Sequence, residues 1–405
     1  MASSIQPYKI TVSGTRIQEL NSKLDSATHP DELDSAGWDM GVPLSDIQRL
    51  TKYWRHEFSW RRAEEKLNEL PHFVTTIACE GYEPLNIHFL HKRSLAKGAI
   101  PLLFVHGWPG NFLEVTKIID GLSTPTQGQV SFHVVAPSLP NFGFSEGTRR
   151  RGFSVEQHAE TLHKLMERLG YDQYVTQGGD WGYYITRAIS ALYPSHCRAT
   201  HFNMDVGTRP TLFTHPLLFV TSLFRHLSNR EQQGVSRTEW FDKEGFGYNL
   251  LQSTKPQTIG YALADSPVAL LAWIYEKLHD WADARRRNLH LAEHILLQHR
   301  RPRRLVPDIL RNGPFGPLGS SLHPGRTQAY QANGVKIGIS HFPRDINVLP
   351  SSWTRTVGEV VFEKEHDKGG HFAAWERPED IVRDVREMFG RGGGAYGVVE
   401  GRDGY

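Results

Sequence analysis

Cysteine is nearly absent from this sequence: Cys79 and Cys197 are the whole complement, too few for a disulfide framework or a Cys-rich zinc site. An excess of one charge is missing too. Forty-six lysines and arginines face 44 aspartates and glutamates, a formal net charge of +2. That balance leaves no electrostatic footprint for nucleic acid or an anionic membrane. No apolar run reaches the roughly 18 residues a membrane helix needs, so no membrane anchor is expected. The opening stretch from Met1 to Tyr8 lacks the basic and apolar regions of a secretory signal, and the closing Arg402-Asp403-Gly404-Tyr405 is no peroxisomal address. A soluble, cytoplasmic protein that handles a small uncharged molecule is the expectation.

What is present suffices for a large core. The 405 residues are 39% hydrophobic and include ten tryptophans, which fits one large domain with additions, or two domains. Ile47, Leu50, Trp54 and Phe58 recur at helical spacing and predict a helix from about Ser45 with one buried stripe. Past Pro71 the period shortens to two: Leu85, Ile87 and Phe89 face one way, Asn86, His88 and Leu90 the other. From Ile100 the pattern becomes strand, loop, helix, repeated. Strands are predicted at 100–105, 132–136, 174–177, 199–202, 335–340 and 359–362, with a helix over 154–169 opened by a Ser154/Gln157 capping box and stopped by Gly170. A further helix follows Pro378. Such alternation predicts an α/β fold with a doubly wound, mostly parallel sheet.

The expected division is an N-terminal extension over 1–95, a first core segment over 96–206, a helical lid over 207–326, a second core segment over 327–390 and a disordered Gly-rich tail over 391–405. Within the lid, 285–326 is atypical, with nine arginines against Glu293 and Asp308 alone. There is no internal repeat.

Four places can carry chemistry. Gly178-Gly179-Asp180-Trp181-Gly182 has the G-x-nucleophile-x-G form, with Asp where esterases have Ser. A sharp turn between a predicted strand and helix lifts the central side chain clear of the sheet, and the N–H of Trp181 then faces developing negative charge. The pattern arises by chance in about one chain in ten of this length, given ordinary glycine usage, and an Asp capping a βα turn is the plain alternative. His106-Gly107-Trp108-Pro109-Gly110 follows the strand ending at Val105 and can offer a second N–H, from Trp108, to an oxyanion. Read singly, it is an ordinary Gly/Pro turn. His371 follows Gly369-Gly370 after the last strand, and Asp345 follows Pro343 after the strand near Ile339. Singly these are a structural histidine and a solvated carboxylate. The order Asp180, Asp345, His371 is nevertheless the nucleophile, acid, base order of the α/β-hydrolase fold.

With these residues the chain resembles the microsomal-type epoxide hydrolases, especially the soluble fungal ones. The resemblance rests on Trp54-Arg55-His56-Glu57-Phe58-Ser59-Trp60-Arg61, on the His106 to Gly110 turn, on Gln177 to Asp180, on Gly369-Gly370-His371-Phe372-Ala373-Ala374, and on the lid-like run from Ser266 to Lys277. It covers roughly residues 5–284 and 327–390. It implies an α/β-hydrolase fold with a helical lid, and a reaction in which Asp180 opens an apolar epoxide by forming an ester. His371, oriented by Asp345, would activate the water that releases a diol, with the Trp108 and Trp181 N–H groups as oxyanion hole. Tyr248, at the first lid tyrosine's place, would protonate the epoxide oxygen; as a plain residue it is an aromatic packing group. No cofactor and no metal are implied, and the partners are the epoxide and water, with a homodimer compatible. Detoxification, aromatic hydrocarbon catabolism and secondary metabolism are the implied roles.

One departure stands out. The family carries a second lid tyrosine before the Asp345 strand, yet no tyrosine lies between Tyr275 and Tyr330. An altered segment at 285–326, from a gene-model error or from divergence, leads to the expectation of an impaired hydrolase. The rivals are a haloalkane dehalogenase, which also uses an Asp nucleophile, and a catalytically idle binding homologue. The N-terminal extension and Tyr248 argue against the first; turnover of an aryl epoxide would exclude the second.

Overall fold

The computed structural model describes residues 4–204, 206–283 and 334–405. A short strand β1 (Gln6–Pro7) leads into helices α1 (Gly14–Asp25), α2 (Leu44–His56) and α3 (Trp60–Leu67), then strands β2 (His72–Ile77), β3 (Leu85–Lys92) and β4 (Ile100–Val105). A small helix α4 (Ile119–Ser123) precedes β5 (Phe132–Pro137), and α5 (Val155–Arg168), β6 (Tyr174–Gly178), α6 (Trp181–Leu192) and β7 (Cys197–Phe202) follow.

The nine-stranded sheet has the order β1-β2-β3-β5-β4-β6-β7-β8-β9, where β8 is Lys336–His341 and β9 is Val360–Glu365. The first three pairings are antiparallel and the rest parallel. This is the mostly parallel α/β-hydrolase sheet expected. Chain order reverses around β4, which lies between β5 and β6, so the crevice beyond the C-terminal ends of β4 and β6 is where such a sheet places its site. Successive side chains of β4 enter different cores, Leu103 and Val105 on one face, Leu102 and Phe104 on the other. Burial on both faces explains why β4 reads as a continuous apolar run instead of an alternation.

The local signals translate directly. Ser154 N donates to Gln157 Oε1 at 2.8 Å at the start of α5, and Gly170 closes that helix at φ 81°. Ile47, Leu50 and Trp54 are the buried stripe of α2. On β3 the alternation fails beyond Asn86: His88 and Leu90 are as buried as Phe89, because the second face is covered too.

Five helices, α7 (Pro216–Leu223), α8 (Asn229–Trp240), α9 (Gly247–Thr254), α10 (Pro256–Asp265) and α11 (Pro267–Trp281), form the described part of the lid. The N-terminal extension braces it. Trp38 stacks on His279 of α11 with ring centroids 3.4 Å apart, and Lys23 Nζ reaches Asp265 Oδ1 at 2.6 Å. The atypical stretch 285–326 and the question of a second lid tyrosine fall outside the described residues. Among the described residues, no helix is long and apolar enough to cross a membrane.

The chain then closes through α12 (Ser351–Thr354), α13 (Ala373–Glu376) and α14 (Pro378–Phe389). The tail differs from expectation: 391–405 is ordered. Its Ala395 and Val399 are buried in the core beneath α14, Gly98 N donates to Tyr405 O at 3.0 Å, and Ser131 N donates to Gly404 O at 2.7 Å. Composition misleads here because the glycines serve tight turns, with Gly392, Gly397, Gly401 and Gly404 all at positive φ.

Candidate active site

Asp180 stands between β6 and α6 with φ 52° and ψ −126°, a conformation L-residues rarely adopt. The neighbouring backbones hold it there. A Cβ on Gly182 would lie 2.0 Å from Val105 O, and one on Gly178 would lie 2.8 Å from Gly182 C. Both clashes are with main chain, which has no room to give, so the two flanking glycines are required by packing. On the far side, a Cβ on Gly107 would meet Asp180 Oδ1 at 2.2 Å. The His106–Gly110 turn is therefore pressed against the elbow.

That turn is productive. Trp108 N donates to Asp180 Oδ1 at 2.7 Å. The other oxygen, Oδ2, faces His371, with Nε2 3.3 Å away. The opposite ring nitrogen, Nδ1, is 2.6 Å from Asp345 Oδ1, and that carboxylate also accepts from Ile346 N at 2.7 Å. So the structure brings together Asp180, Asp345, His371 and the Trp108 N–H, from four separate loops at one sheet edge. Trp181 is the first residue of α6, directly after Asp180.

His371 is buried, which by itself lowers an imidazole's pKa. The Asp345 charge, with the contacts to Asp180, outweighs burial and raises it to about 10. The ring is also fixed from the lid: His371 N donates to Trp281 O at 2.8 Å, and the Trp281 ring meets the imidazole edge-on at 5.2 Å. A Cβ on Gly370 would collide with Trp281 O at 2.3 Å, so the lid's last helix ends against this loop.

Tyr248 is buried and stacks on Trp108 at 5.0 Å, with Trp281 at 5.2 Å. It packs in an aromatic cluster with Trp108, whose N–H is bonded to Asp180. Burial first, then the Asp180 charge, push its phenol well above the ordinary range, so it keeps its proton. Lys277 Nζ lies over the same ring at 5.0 Å.

Two further carboxyls escaped the sequence reading. Glu114 sits four residues past Gly110, and a Cβ on that glycine would strike its Oε1 at 1.6 Å. Burial raises it to about 8, with His371 opposing and Asp180 adding to the rise. Glu376 accepts from Asp283 N at 2.6 Å and Phe372 N at 3.2 Å, yet burial raises it to about 7. The available signal for Glu114 was an acid inside the apolar run Phe112-Leu113-Glu114-Val115. Arg237, likewise unforeseen, ties the lid to the Asp345 loop by donating from Nε to Asp345 O at 3.2 Å and from Nη2 to Asp280 O.

Comparison with known proteins gives a consistent picture. A family described as "Epoxide hydrolase N terminus" matches residues 5–115, and one described as "alpha/beta hydrolase fold" matches 100–220. Epoxide hydrolase 1 of Oryctolagus cuniculus is 33% identical over 96% of this chain and 89% of its own. The solved structure of Aspergillus niger epoxide hydrolase superposes with a TM-score of 0.81 at 30% identity, covering 95% of this chain and 96% of that one. The juvenile hormone epoxide hydrolase of the silkworm Bombyx mori gives a TM-score of 0.83 at 29% identity, over 95% and 93%.

Proposed function

The chain belongs to the microsomal-type epoxide hydrolase family, within the α/β-hydrolase fold, and from that premise we propose that it converts an apolar epoxide to a vicinal diol through an ester on Asp180. The observation that carries this reading is the position of His371, one ring nitrogen on Asp345 and the other facing Asp180 Oδ2.

In the first half-reaction Oδ2 attacks the less hindered epoxide carbon. The C–O bond breaks toward the oxygen, which takes a proton from Tyr248. Oδ1, already held by Trp108 N at 2.7 Å, becomes the ester carbonyl oxygen. Esterification removes the Asp180 charge, one of the causes that raise His371. The imidazolium gives its proton back to the Tyr248 phenolate, and the neutral ring then accepts a proton from water, with Asp345 steadying the resulting cation. Hydroxide adds to the ester carbon and the N–H groups of Trp108 and Trp181 hold the oxyanion; the bond from that carbon to the alkoxide oxygen then breaks, and the oxygen takes the proton brought in on the hydroxide, so that the diol leaves and the carboxylate re-forms. A carboxylate suits this chemistry because an alkyl ester can be hydrolysed where a serine ether cannot. The aromatic roof of Trp108, Tyr248 and Trp281 favours an apolar substrate, and removal of reactive epoxides is the proposed role. The expectation of impaired turnover rests on the missing second lid tyrosine alone.

The test is a single turnover in 18O-labelled water with enzyme in excess over a simple aryl epoxide. The label is expected in the Asp180 peptide, because water attacks the ester carbon and the diol takes its new oxygen from Asp180. Label found wholly in the first-turnover diol would mean direct hydration and would overturn the ester route.

A further inference from the structure

A second constellation lies at the opposite edge of the sheet, where β6 and β7 begin. Among the described residues, one donor atom each from His163, Glu167 and His196 fall within 4.8 Å of one another. His163 and Glu167 are one turn apart on α5, so both project from the same face. His196 comes from the turn ahead of β7, and main-chain bonds pin it on both sides: its N donates to Tyr193 O at 3.0 Å, and its O accepts from Tyr174 N at 2.9 Å.

Within the group the His163 and His196 rings lie 4.8 Å apart between centroids. His163 Nε2 is 3.6 Å from Glu167 Oε1, too long for a hydrogen bond. It is close to the roughly 3.3–3.5 Å that separates two ligands of one tetrahedral zinc ion with bonds near 2.0–2.1 Å. Each imidazole also has its second nitrogen engaged from outside the group. His196 Nδ1 lies 2.7 Å from Asp172 O, which can only accept, so that nitrogen carries the proton and the lone pair is left on Nε2. His163 Nδ1 is 3.0 Å from the Tyr174 hydroxyl, and its ring is stacked on Tyr193 at 3.8 Å. An imidazole oriented through its far nitrogen is the usual support of a metal-ligating histidine. Glu167 is half exposed and His196 about a quarter exposed, so an ion has a way in and a water can complete the shell.

We infer that His163, Glu167 and His196 form a binding site for a divalent transition metal, with zinc as the fitting ion for two nitrogens, one carboxylate oxygen and a water. Because the site lies at the starts of β6 and β7, while Asp180 follows the end of β6, the ion acts by tying α5 to the sheet and takes no part in the reaction.

The probe is Zn2+ itself, added to the untagged, chelator-treated full chain in a calorimetric titration, with Co2+ absorption as a second readout. The expected result is one saturable Zn2+ per chain, a Co2+ spectrum of four-coordinate intensity and a raised thermal midpoint in the presence of metal. Changes to outer partners of metal ligands cost about 10–100-fold in affinity. His196→Ala and Glu167→Gln, both at the exposed side of the group, are therefore expected to weaken Zn2+ binding at least 100-fold, with the metal-free fold unchanged by circular dichroism. Tyr174→Phe, which alters only the outer partner of His163, should fall between. Absence of saturable binding overturns the inference, and so does binding that both His196→Ala and Glu167→Gln leave intact, since the ion would then sit on other histidines.

Discussion

The imidazole of His371 is held against Asp345 with 2.6 Å between Nδ1 and Oδ1, and both side chains are out of solvent. That pair keeps a proton on Nδ1 whether the ring is charged or neutral, and Nε2 is presented to Asp180 at 3.3 Å. A ring so placed can serve the ester but has no need to help form it.

Asp180→Asn is expected to abolish turnover, because a neutral amide is a poor nucleophile. In the unaltered enzyme, quenching a single turnover should reveal the substrate's mass on the peptide containing Asp180. Diol formation at the ordinary rate by a folded Asp180→Ala variant would remove Asp180 from the mechanism.

His371→Gln should separate the halves. Alkylation proceeds, hydrolysis does not, and rapid-quench kinetics show a burst of ester without sustained turnover. A folded variant that neither binds nor alkylates would show that the imidazole works before the ester forms.

Tyr248→Phe removes one hydroxyl and leaves the ring on Trp108. General-acid assistance is typically worth about 10²–10⁴-fold, so alkylation should slow by that factor while hydrolysis of a preformed ester is unchanged. Equal loss in both steps would point to a packing defect instead.

Alkaline pH should weaken the fold through His371. Its folded pKa is raised from 6.5 to about 10. Below pH 6.5 the ring is protonated in folded and unfolded chains alike, so the stabilisation is complete. Between 6.5 and about 10 only the folded chain keeps the proton, and stability falls with pH. Denaturation midpoints should decline more steeply over that range for the unaltered protein than for His371→Gln. Parallel declines would assign the effect to other groups.

Gly182→Ala should destabilise by about 3 kcal/mol or more, the upper end of ordinary overpacking, because its Cβ would lie 2.0 Å from a main-chain oxygen. Removal of residues 391–405 should also lower the denaturation midpoint, since it strips Ala395 and Val399 from the core and breaks the bonds to Gly98 and Ser131. A truncated chain as stable as the full one would restore the reading of this tail as a loose end.

Much of this was legible beforehand because it is local. β4 occupies the residues expected of it, and the capping box at Ser154 and the stop at Gly170 are written in adjacent residues. The elbow is local as well: a strand, two glycines, an aspartate and a helix lie within a few positions. The Gly-rich tail is the exception, since composition reports the freedom of a segment and says nothing of what it packs on.

The sequence by itself determined the sheet's pattern, the strained turn at Asp180 and the order of Asp180, Asp345 and His371 along the chain, because each depends on side-chain period or on neighbouring residues. Tertiary structure alone decided that Asp345 and His371, 26 positions apart, share a hydrogen bond. It alone put Trp281 of the lid against His371, and Glu114 within reach of the charges on His371 and Asp180. The physical reason is that distance and burial, which set hydrogen bonds and pKa values, arise only when loops from separate strands converge on one sheet edge.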